Sequence, residues 1–187
     1  IPQADSSTKQ GKWEKSKFNG TEINGKYLGL IGCGNIGCIV ASRALGLKMK
    51  VLSYDPFLTQ EKASELGVEK VNLDYLLSNS DIISLHTPLT DDTKNIISSE
   101  AINIMKKGSR IINCARGGLV DEVACRAALE TGHLAGAAFD VFTEEPAKEN
   151  ILFDAPNFVA TPHLGAATIE AQENVAIQIA QQMSDYL

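Results

Sequence analysis

The sequence of 187 residues predicts an α/β fold, namely a doubly wound, mostly parallel sheet with helices on both faces. Three observations lead to this prediction. Short apolar runs typical of buried strands alternate with segments whose apolar residues recur at helical spacing. A glycine-rich turn directly follows the first apolar run and opens the first long helical pattern. The polar residues suited to chemistry fall just after the apolar runs, where an open parallel sheet forms its ligand crevice.

The first predicted strand, residues 27–31, leads into a glycine-rich turn and a helix at 35–47. Gly32 allows the tight turn, Gly34 lets the backbone approach a pyrophosphate, and Gly37 lets the helix pack closely on the strand. The free N–H groups and the dipole at the start of that helix favour an anion. The turn therefore predicts a dinucleotide site in a Rossmann-type fold.

The second predicted strand, residues 49–54, ends in an acid. Asp55 follows Gly32 by 23 residues. This is close to the roughly 20 residues expected of the carboxylate that holds a ribose hydroxyl. A carboxylate there repels a 2′-phosphate, so the predicted cofactor is NAD and not NADP.

The rest of the chain continues the alternation. Helices are predicted at 59–66, 73–78, 98–105, 121–129 and 168–186, and strands at 82–85, 110–113, 135–139 and 158–160. Residues 1–25 are polar, with four lysines around Trp13, and are predicted to be a connector.

Composition narrows the class of protein. A net charge of −6 gives no support for a nucleic-acid partner or an anionic membrane surface. No apolar run is long enough to span a bilayer. The cysteines lack zinc-ligand spacing and are predicted to be small buried residues in a reducing cytoplasm; they are Cys33, Cys38, Cys114 and Cys125. No metal site is expected.

Three residues in the second half of the chain form a candidate acid, base and cation. Glu145 and His163 suit proton transfer, and Arg116 suits the binding of a carboxylate. Taken singly, each has a structural alternative: a surface ion pair for Arg116, a solvated carboxylate for Glu145 and a satisfied loop histidine for His163. The two glycines after Arg116 indicate a close backbone approach and favour a functional role.

These stretches together resemble the D-isomer-specific 2-hydroxyacid dehydrogenases. The resemblance rests on residues 32–37, 54–56, 86–90, 113–121, 139–146 and 161–166, and it extends over essentially the whole chain. It implies that Arg116, Glu145 and His163 are catalytic. The residues it implies at the cofactor are Gly32, Gly34, Asn35, Ile36, Gly37, Asp55, Thr87, Pro88, Cys114, Ala115, Arg116, Asp140, His163, Gly165 and Ala166. Asn35 stands where the family usually has arginine.

The resemblance also implies a reaction and partners. The motifs are most similar to family members that oxidise 3-phosphoglycerate to 3-phosphohydroxypyruvate with NAD, the entry to serine synthesis. Such members form homodimers through the nucleotide domain. Residues 1–25 and 168–187 are then expected to connect this domain to a substrate-binding domain that the chain lacks. Two alternatives stay open: a dehydrogenase of another D-2-hydroxy acid, and a non-catalytic NAD-sensing module of the same fold.

Overall fold

A computed structural model describes residues 1–186 and shows a single sheet of seven strands. The strands are β1 Tyr27–Ile31, β2 Lys50–Tyr54, β3 Glu69–Lys70, β4 Ile82–Leu85, β5 Ser109–Asn113, β6 Leu134–Phe139 and β7 Phe158–Ala160. Every neighbouring pair is parallel, in the order β3-β2-β1-β4-β5-β6-β7. The strand order reverses between β1 and β4, so a crevice opens there at the carboxyl ends of the strands. The predicted fold class is confirmed, and the sheet is wholly parallel.

Helices connect the strands. They are α1 Pro2–Lys9, α2 Asn35–Gly46, α3 Gln60–Leu66, α4 Leu73–Asn79, α5 Ser99–Ile104, α6 Glu122–Glu130 and α7 Ile169–Tyr186, with a short 3₁₀ helix at Lys15–Phe18. Four of them begin at a capping residue whose side-chain oxygen accepts a hydrogen bond from a backbone N–H of the first turn. These capping residues are Thr59, Asn72, Ser98 and Asp121. Three of these elements were not predicted from the sequence: α1 and the 3₁₀ helix, which lie within the expected connector, and the two-residue strand β3.

The hydrophobic core is divided by the sheet, as a doubly wound fold requires. Alternate residues of β1 enter different clusters: Leu28 and Leu30 pack with one group of buried residues, and Ile31 with the other. The face of α2 that packs on the sheet is made of small residues, because Gly37, Ala41 and Ala44 are its buried positions. Close packing of helix on strand accounts for this choice.

Some apolar residues lie outside the core. Ile36 and Ile39, which mark the helical spacing of α2 in the sequence, are 61% and 52% exposed. None of the described residues of α7 is buried, although the helix carries five large apolar side chains along its length, namely Ile169, Val175, Ile177, Ile179 and Met183. Nothing in residues 1–186 forms a helix both long and apolar enough to cross a membrane.

The prediction that all four cysteines are buried is confirmed for only two of them. Cys33 and Cys125 are buried and Cys38 is partly exposed, but Cys114 is exposed. Cys114 directly follows β5, at the crevice edge of the sheet, whereas Cys125 lies on the buried face of α6. Cys114 is exposed because it lies in the loop at the end of a strand, whereas Cys125 packs within the hydrophobic core. The sequence indicates this difference only indirectly.

Candidate functional site

The glycine-rich turn after β1 has room for a ligand at one glycine and none at the other two. Gly32 has a φ of +92°, and a Cβ there would lie 2.6 Å from the carbonyl oxygen of His86. A Cβ at Gly37 would lie 2.3 Å from the carbonyl oxygen of Gly32. At Gly34, by contrast, a Cβ would meet no atom of the described residues within 4 Å. The tight turn and the close packing of α2 are therefore observed, and the space beside Gly34 is open.

Asp55 ties the end of β2 to this turn. Its Oδ2 accepts a 2.8 Å hydrogen bond from the backbone N–H of Cys33, and its Oδ1 accepts one of 2.8 Å from Phe57. A carboxylate has about four acceptor positions, so two backbone donors leave capacity for ribose hydroxyls. Asp55 therefore fixes the turn and remains suited to its predicted role.

The geometry around the turn fits a dinucleotide. Gly34 is the N-cap residue of α2 and has no side chain to occupy the first N–H groups of the helix. The first turn of α2 carries no acidic residue, and Asn35 and Ile36 are exposed. Thr87 and Pro88 follow β4 after His86, and a Cβ at Gly32 would lie 3.0 Å from the backbone nitrogen of Thr87. An anionic pyrophosphate can therefore lie at this helix terminus without displacing a side chain.

A buried amide shapes the loop after β5. Asn113 is 1% exposed; its Nδ2 donates to the carbonyl of Arg116 at 2.9 Å, and its Oδ1 accepts from the N–H of Ala115 at 3.1 Å. The exposed Arg116 guanidinium donates to the carbonyl of Ala115 at 2.6 Å. Asn113 was not among the predicted site residues, although an asparagine at the end of an apolar strand is a signal of such a role.

The glycine after Arg116 brings two loops into contact. A Cβ at Gly117 would lie 1.8 Å from the carbonyl oxygen of Phe142 and 2.6 Å from the backbone nitrogen of Thr143. The close approach that the sequence indicated is therefore to another part of the protein. Through it, the loop that carries Arg116 rests on the loop that carries Glu145.

Glu145 and His163 form a hydrogen-bonded pair. His163 Nδ1 and Glu145 Oε2 are 2.8 Å apart, and Glu145 Oε1 accepts a 2.9 Å bond from the N–H of Phe142. The bond to His163, followed by the bond from Phe142, lowers the pKa of the Glu145 carboxyl. Because Nδ1 is engaged, Nε2 is the ring nitrogen left to exchange a proton with a substrate. His163 has a φ of +55°, a strained conformation that non-glycine residues adopt mainly where the surroundings impose it.

Asp140, directly after β6, holds the turn that contains His163. It is 4% exposed and accepts three hydrogen bonds: from Thr161 Oγ1 at 2.5 Å, Leu164 N at 2.7 Å and Gly165 N at 2.8 Å. Burial raises the pKa of the Asp140 carboxyl, but these hydrogen bonds outweigh that effect and the pKa is lowered overall. Asp140 was predicted to lie at the cofactor, and this internal role was not predicted.

An open cavity lies beside the pair. Its volume is about 510 Å³, and Glu145 and His163 line it together with the apolar side chains of Phe142, Phe153 and Pro162. An apolar pocket with a few convergent polar groups is typical of a small-molecule site.

The structure therefore brings the predicted site residues into two groups. In the first group, Glu145 is hydrogen-bonded to His163, and Asp140 binds the turn that contains His163. Arg116 adjoins this group because the next residue, Gly117, contacts the loop of Glu145. The glycine-rich turn, Asp55 and Thr87 form the second group over β1, β2 and β4. The remaining predicted residues follow the ends of their strands as expected: Pro88 after β4, Cys114 and Ala115 after β5, and Gly165 and Ala166 after β7. Their contacts with a cofactor stay predictions.

Comparison with known proteins identifies the class that this fold and site define. Residues 1–165 match the model of the D-isomer specific 2-hydroxyacid dehydrogenase, NAD binding domain, and the chain belongs to that family. The predicted cofactor, NAD, is thereby confirmed for the family domain. A solved D-lactate dehydrogenase from Aquifex aeolicus, complexed with NAD and lactic acid, has a TM-score of 0.87 at 31% identity, over 98% of this chain and 60% of that one.

The particular relatives are more similar in sequence. D-3-phosphoglycerate dehydrogenases from Synechocystis sp. and Bacillus subtilis are each 49% identical to the chain over 100% of its length. The chain spans only about a third of those proteins, 34% and 35% respectively.

Proposed function

We propose that the chain provides the NAD-binding domain and the catalytic residues for oxidation of D-3-phosphoglycerate to 3-phosphohydroxypyruvate. The observation that carries the proposal is the Glu145–His163 pair, held at 2.8 Å beside a cavity at the carboxyl ends of the strands. The choice of substrate is supported by the 49% identity to relatives named D-3-phosphoglycerate dehydrogenase. This identity of 49% is higher than the 31% identity between the chain and the D-lactate dehydrogenase of the same fold.

The proposed roles follow from the contacts. His163 Nε2 takes the proton of the substrate's C2 hydroxyl, and Glu145 holds the ring through Nδ1 and stabilises its charged form. The glycine-rich turn and Asp55 would hold NAD, which would supply the acceptor for the hydride from C2. Arg116 binds the substrate carboxylate with its planar guanidinium, and Asn113 positions the loop from which Arg116 projects. Asp140 positions His163.

The first prediction tests the reaction itself. The full-length protein should reduce NAD when given D-3-phosphoglycerate, and should oxidise NADH when given 3-phosphohydroxypyruvate, both followed by absorbance of NADH. Turnover only with another D-2-hydroxy acid would replace the proposed substrate. Tight NADH binding without turnover of any such acid would favour a non-catalytic sensor.

The second prediction concerns the choice between NAD and NADP. The chain should bind NAD more tightly, because the Asp55 carboxylate repels a 2′-phosphate. Asp55→Asn should reduce this preference by about tenfold, since it removes the charge and keeps an oxygen for a backbone donor. The isosteric change is the sharper test: Asp55→Ala would also release the N–H groups of Cys33 and Phe57. Calorimetric titration measures the affinities of the unaltered chain and of Asp55→Asn for NAD and for NADP. Equal binding of the two cofactors by the unaltered chain contradicts the prediction.

We also propose that α1, the rest of residues 1–25 and α7 connect this domain to a substrate-binding domain. The support is the uncovered surface of these segments. α7 has five exposed apolar side chains and no buried residue among those described, and Trp13 is 87% exposed. Surface of this kind is typical of an interface with another domain or subunit.

The third prediction is a homodimer formed through the nucleotide domain. The segment around Trp13 and the exposed helix surfaces should associate without any further domain. Light scattering at micromolar concentration should give about twice the chain mass of 20.1 kDa. A monomer at that concentration would contradict the proposed association.

The expected compartment is the cytoplasm. Among the described residues the four cysteines are free, which is usual for proteins of a reducing compartment. Cell fractionation of the source organism tests this proposal.

A further inference from the structure

Two cysteines lie side by side at the glycine-rich turn. Cys33 is between the first two glycines, and Cys38 is in the first turns of α2. Their sulfur atoms are 4.0 Å apart, and Cys38 Sγ donates to the carbonyl oxygen of Cys33 at 3.0 Å. A disulfide has its sulfurs about 2 Å apart. The two side chains therefore need to approach by only about 2 Å to be joined.

A buried hydroxyl adjoins this pair. Ser53, on β2, is completely buried, and within the described residues its Oγ has no hydrogen-bond partner at ordinary geometry. Burial raises the pKa of the Cys33 thiol, and the Ser53 hydroxyl partly opposes that shift because it stabilises the thiolate. The Ser53 hydroxyl is therefore close to Cys33, the more buried thiol of the pair.

We propose that Cys33 and Cys38 form a redox-sensitive dithiol, whose oxidation to a disulfide weakens dinucleotide binding. The second part of the proposal rests on the cofactor site described above. The first part rests on the sulfur positions alone.

The oxidant is a small disulfide such as oxidised glutathione. Cys38 is partly exposed and Cys33 is 5% exposed, so Cys38 is the thiol that meets the oxidant. Its thiolate attacks one sulfur of the small disulfide, which forms a mixed disulfide and releases one small thiol. The Cys33 thiolate then attacks the Cys38 sulfur and releases the second small thiol. The protein loses two protons and two electrons, and the small disulfide is reduced to two thiols.

Oxidation changes the turn because both cysteines take part in its hydrogen bonds. The Cys38 thiol can no longer donate to the Cys33 carbonyl. The N–H of Cys33 is bound to Asp55, so a shift of Cys33 also moves the proposed ribose carboxylate. Gly34, beside the open space proposed for the pyrophosphate, directly follows Cys33. A weaker affinity for NADH is the expected consequence.

Tryptic mapping separates this pair from the other thiols. Cleavage after Lys26 and Arg43 leaves Cys33 and Cys38 together in peptide 27–43, whereas Cys114 and Cys125 fall in different peptides. After treatment with excess oxidised glutathione and alkylation, peptide 27–43 should be unalkylated and lighter by two hydrogens. The dissociation constant for NADH, from fluorescence titration, should rise about tenfold and return to its starting value with dithiothreitol.

Variants provide the controls. Cys38→Ser removes the thiol that meets the oxidant and should bind NADH equally well before and after oxidation. Cys33→Ser removes the second attack and should stop at the mixed disulfide of Cys38, seen as the added mass of one glutathione on peptide 27–43, while Cys125→Ala should respond as the unaltered protein does. If peptide 27–43 carries two alkyl groups after oxidation, both thiols have stayed free, and the proposal that Cys33 and Cys38 form a disulfide is wrong. A disulfide that leaves NADH affinity unchanged overturns its effect on binding. If the reduced protein fails to bind NADH at all, the proposed cofactor site fails, and the peptide map still decides whether the dithiol exists.

Discussion

Replacing His163 with alanine in the full-length protein should reduce kcat for 3-phosphoglycerate oxidation by about 1,000-fold or more. General acid–base catalysis contributes on the order of 100- to 10,000-fold, and no other described side chain is bonded to Glu145 as His163 is. The dissociation constant for NADH should stay within about threefold, because the base acts on the substrate hydroxyl and the glycine-rich turn lies over other strands. Steady-state kinetics and NADH fluorescence titration measure the two effects.

Glu145→Gln is the companion variant. The pKa of Glu145 is lowered, so this carboxyl is ionised at neutral pH and favours a charged imidazole beside it. The amide removes that charge while it keeps an oxygen for one donor. Activity should therefore remain, and the acidic limb of the kcat/KM profile should move to lower pH, since oxidation needs the neutral base. An unchanged profile in Glu145→Gln, or near-normal turnover in His163→Ala, would contradict the assigned roles.

Gly117→Ala should lower kcat/KM by about 100-fold, although the residue touches no reactant in the proposed mechanism. The added Cβ would lie 1.8 Å from the Phe142 carbonyl oxygen. The obstructing atoms belong to the backbone, so the loops that carry Arg116 and Glu145 must separate. A displacement of about 1 Å at a catalytic group is enough for such a loss. The melting temperature should fall by about 5 °C, as expected for a loss of about 2 kcal/mol in a domain of this size.

The matched control for this variant is Gly46→Ala. Gly46 is the last residue of α2, and a Cβ there would meet no described atom within 4 Å. It should leave kcat/KM unchanged and raise stability slightly, because alanine loses less backbone entropy than glycine in a helix. NADH affinity should be similar in both variants. Normal kcat/KM in Gly117→Ala would show that the contact between the two loops does not govern catalysis.

The helices and strands that could be predicted well are those whose apolar residues form a regular pattern and whose ends are marked by turn or capping residues. The strands from β1 to β7, apart from β3, could be predicted because buried parallel strands are nearly continuous apolar runs. β3 could not, since both of its residues, Glu69 and Lys70, are charged and exposed and it pairs only at the sheet edge. α1 was missed for a related reason: only Ser7 is buried in it, so no apolar stripe marks it.

The residues suited to chemistry in the candidate site could be named from the sequence, but the residues that position them could not. Arg116, Glu145 and His163 each have a structural alternative when taken singly, so it was the surrounding motifs that singled them out, and their catalytic roles stay predictions. The supporting roles of Asn113 and Asp140 could not be predicted in this way. They depend on which backbone N–H and C=O groups lack a hydrogen-bond partner once the loops are folded. Those groups, such as the N–H groups of Leu164 and Gly165, are specified by the turn geometry and not by residue type. Sequence spacing carries little information about such bonds.

The carboxylates of Asp140 and Glu145 determine the pH at which the loops around the candidate site lose their hydrogen bonds in acid. Asp140 and Glu145 each accept backbone N–H bonds, and the pKa of each is lowered in the folded protein. A group with a lowered folded pKa adds stability above its unfolded pKa and loses that contribution only as the pH falls through the folded value. These two anchors therefore persist into more acidic solution than ordinary carboxyls would. In an acid titration, the loops that present Glu145 and His163 should therefore stay in position to a lower pH than ordinary carboxyl anchors would allow.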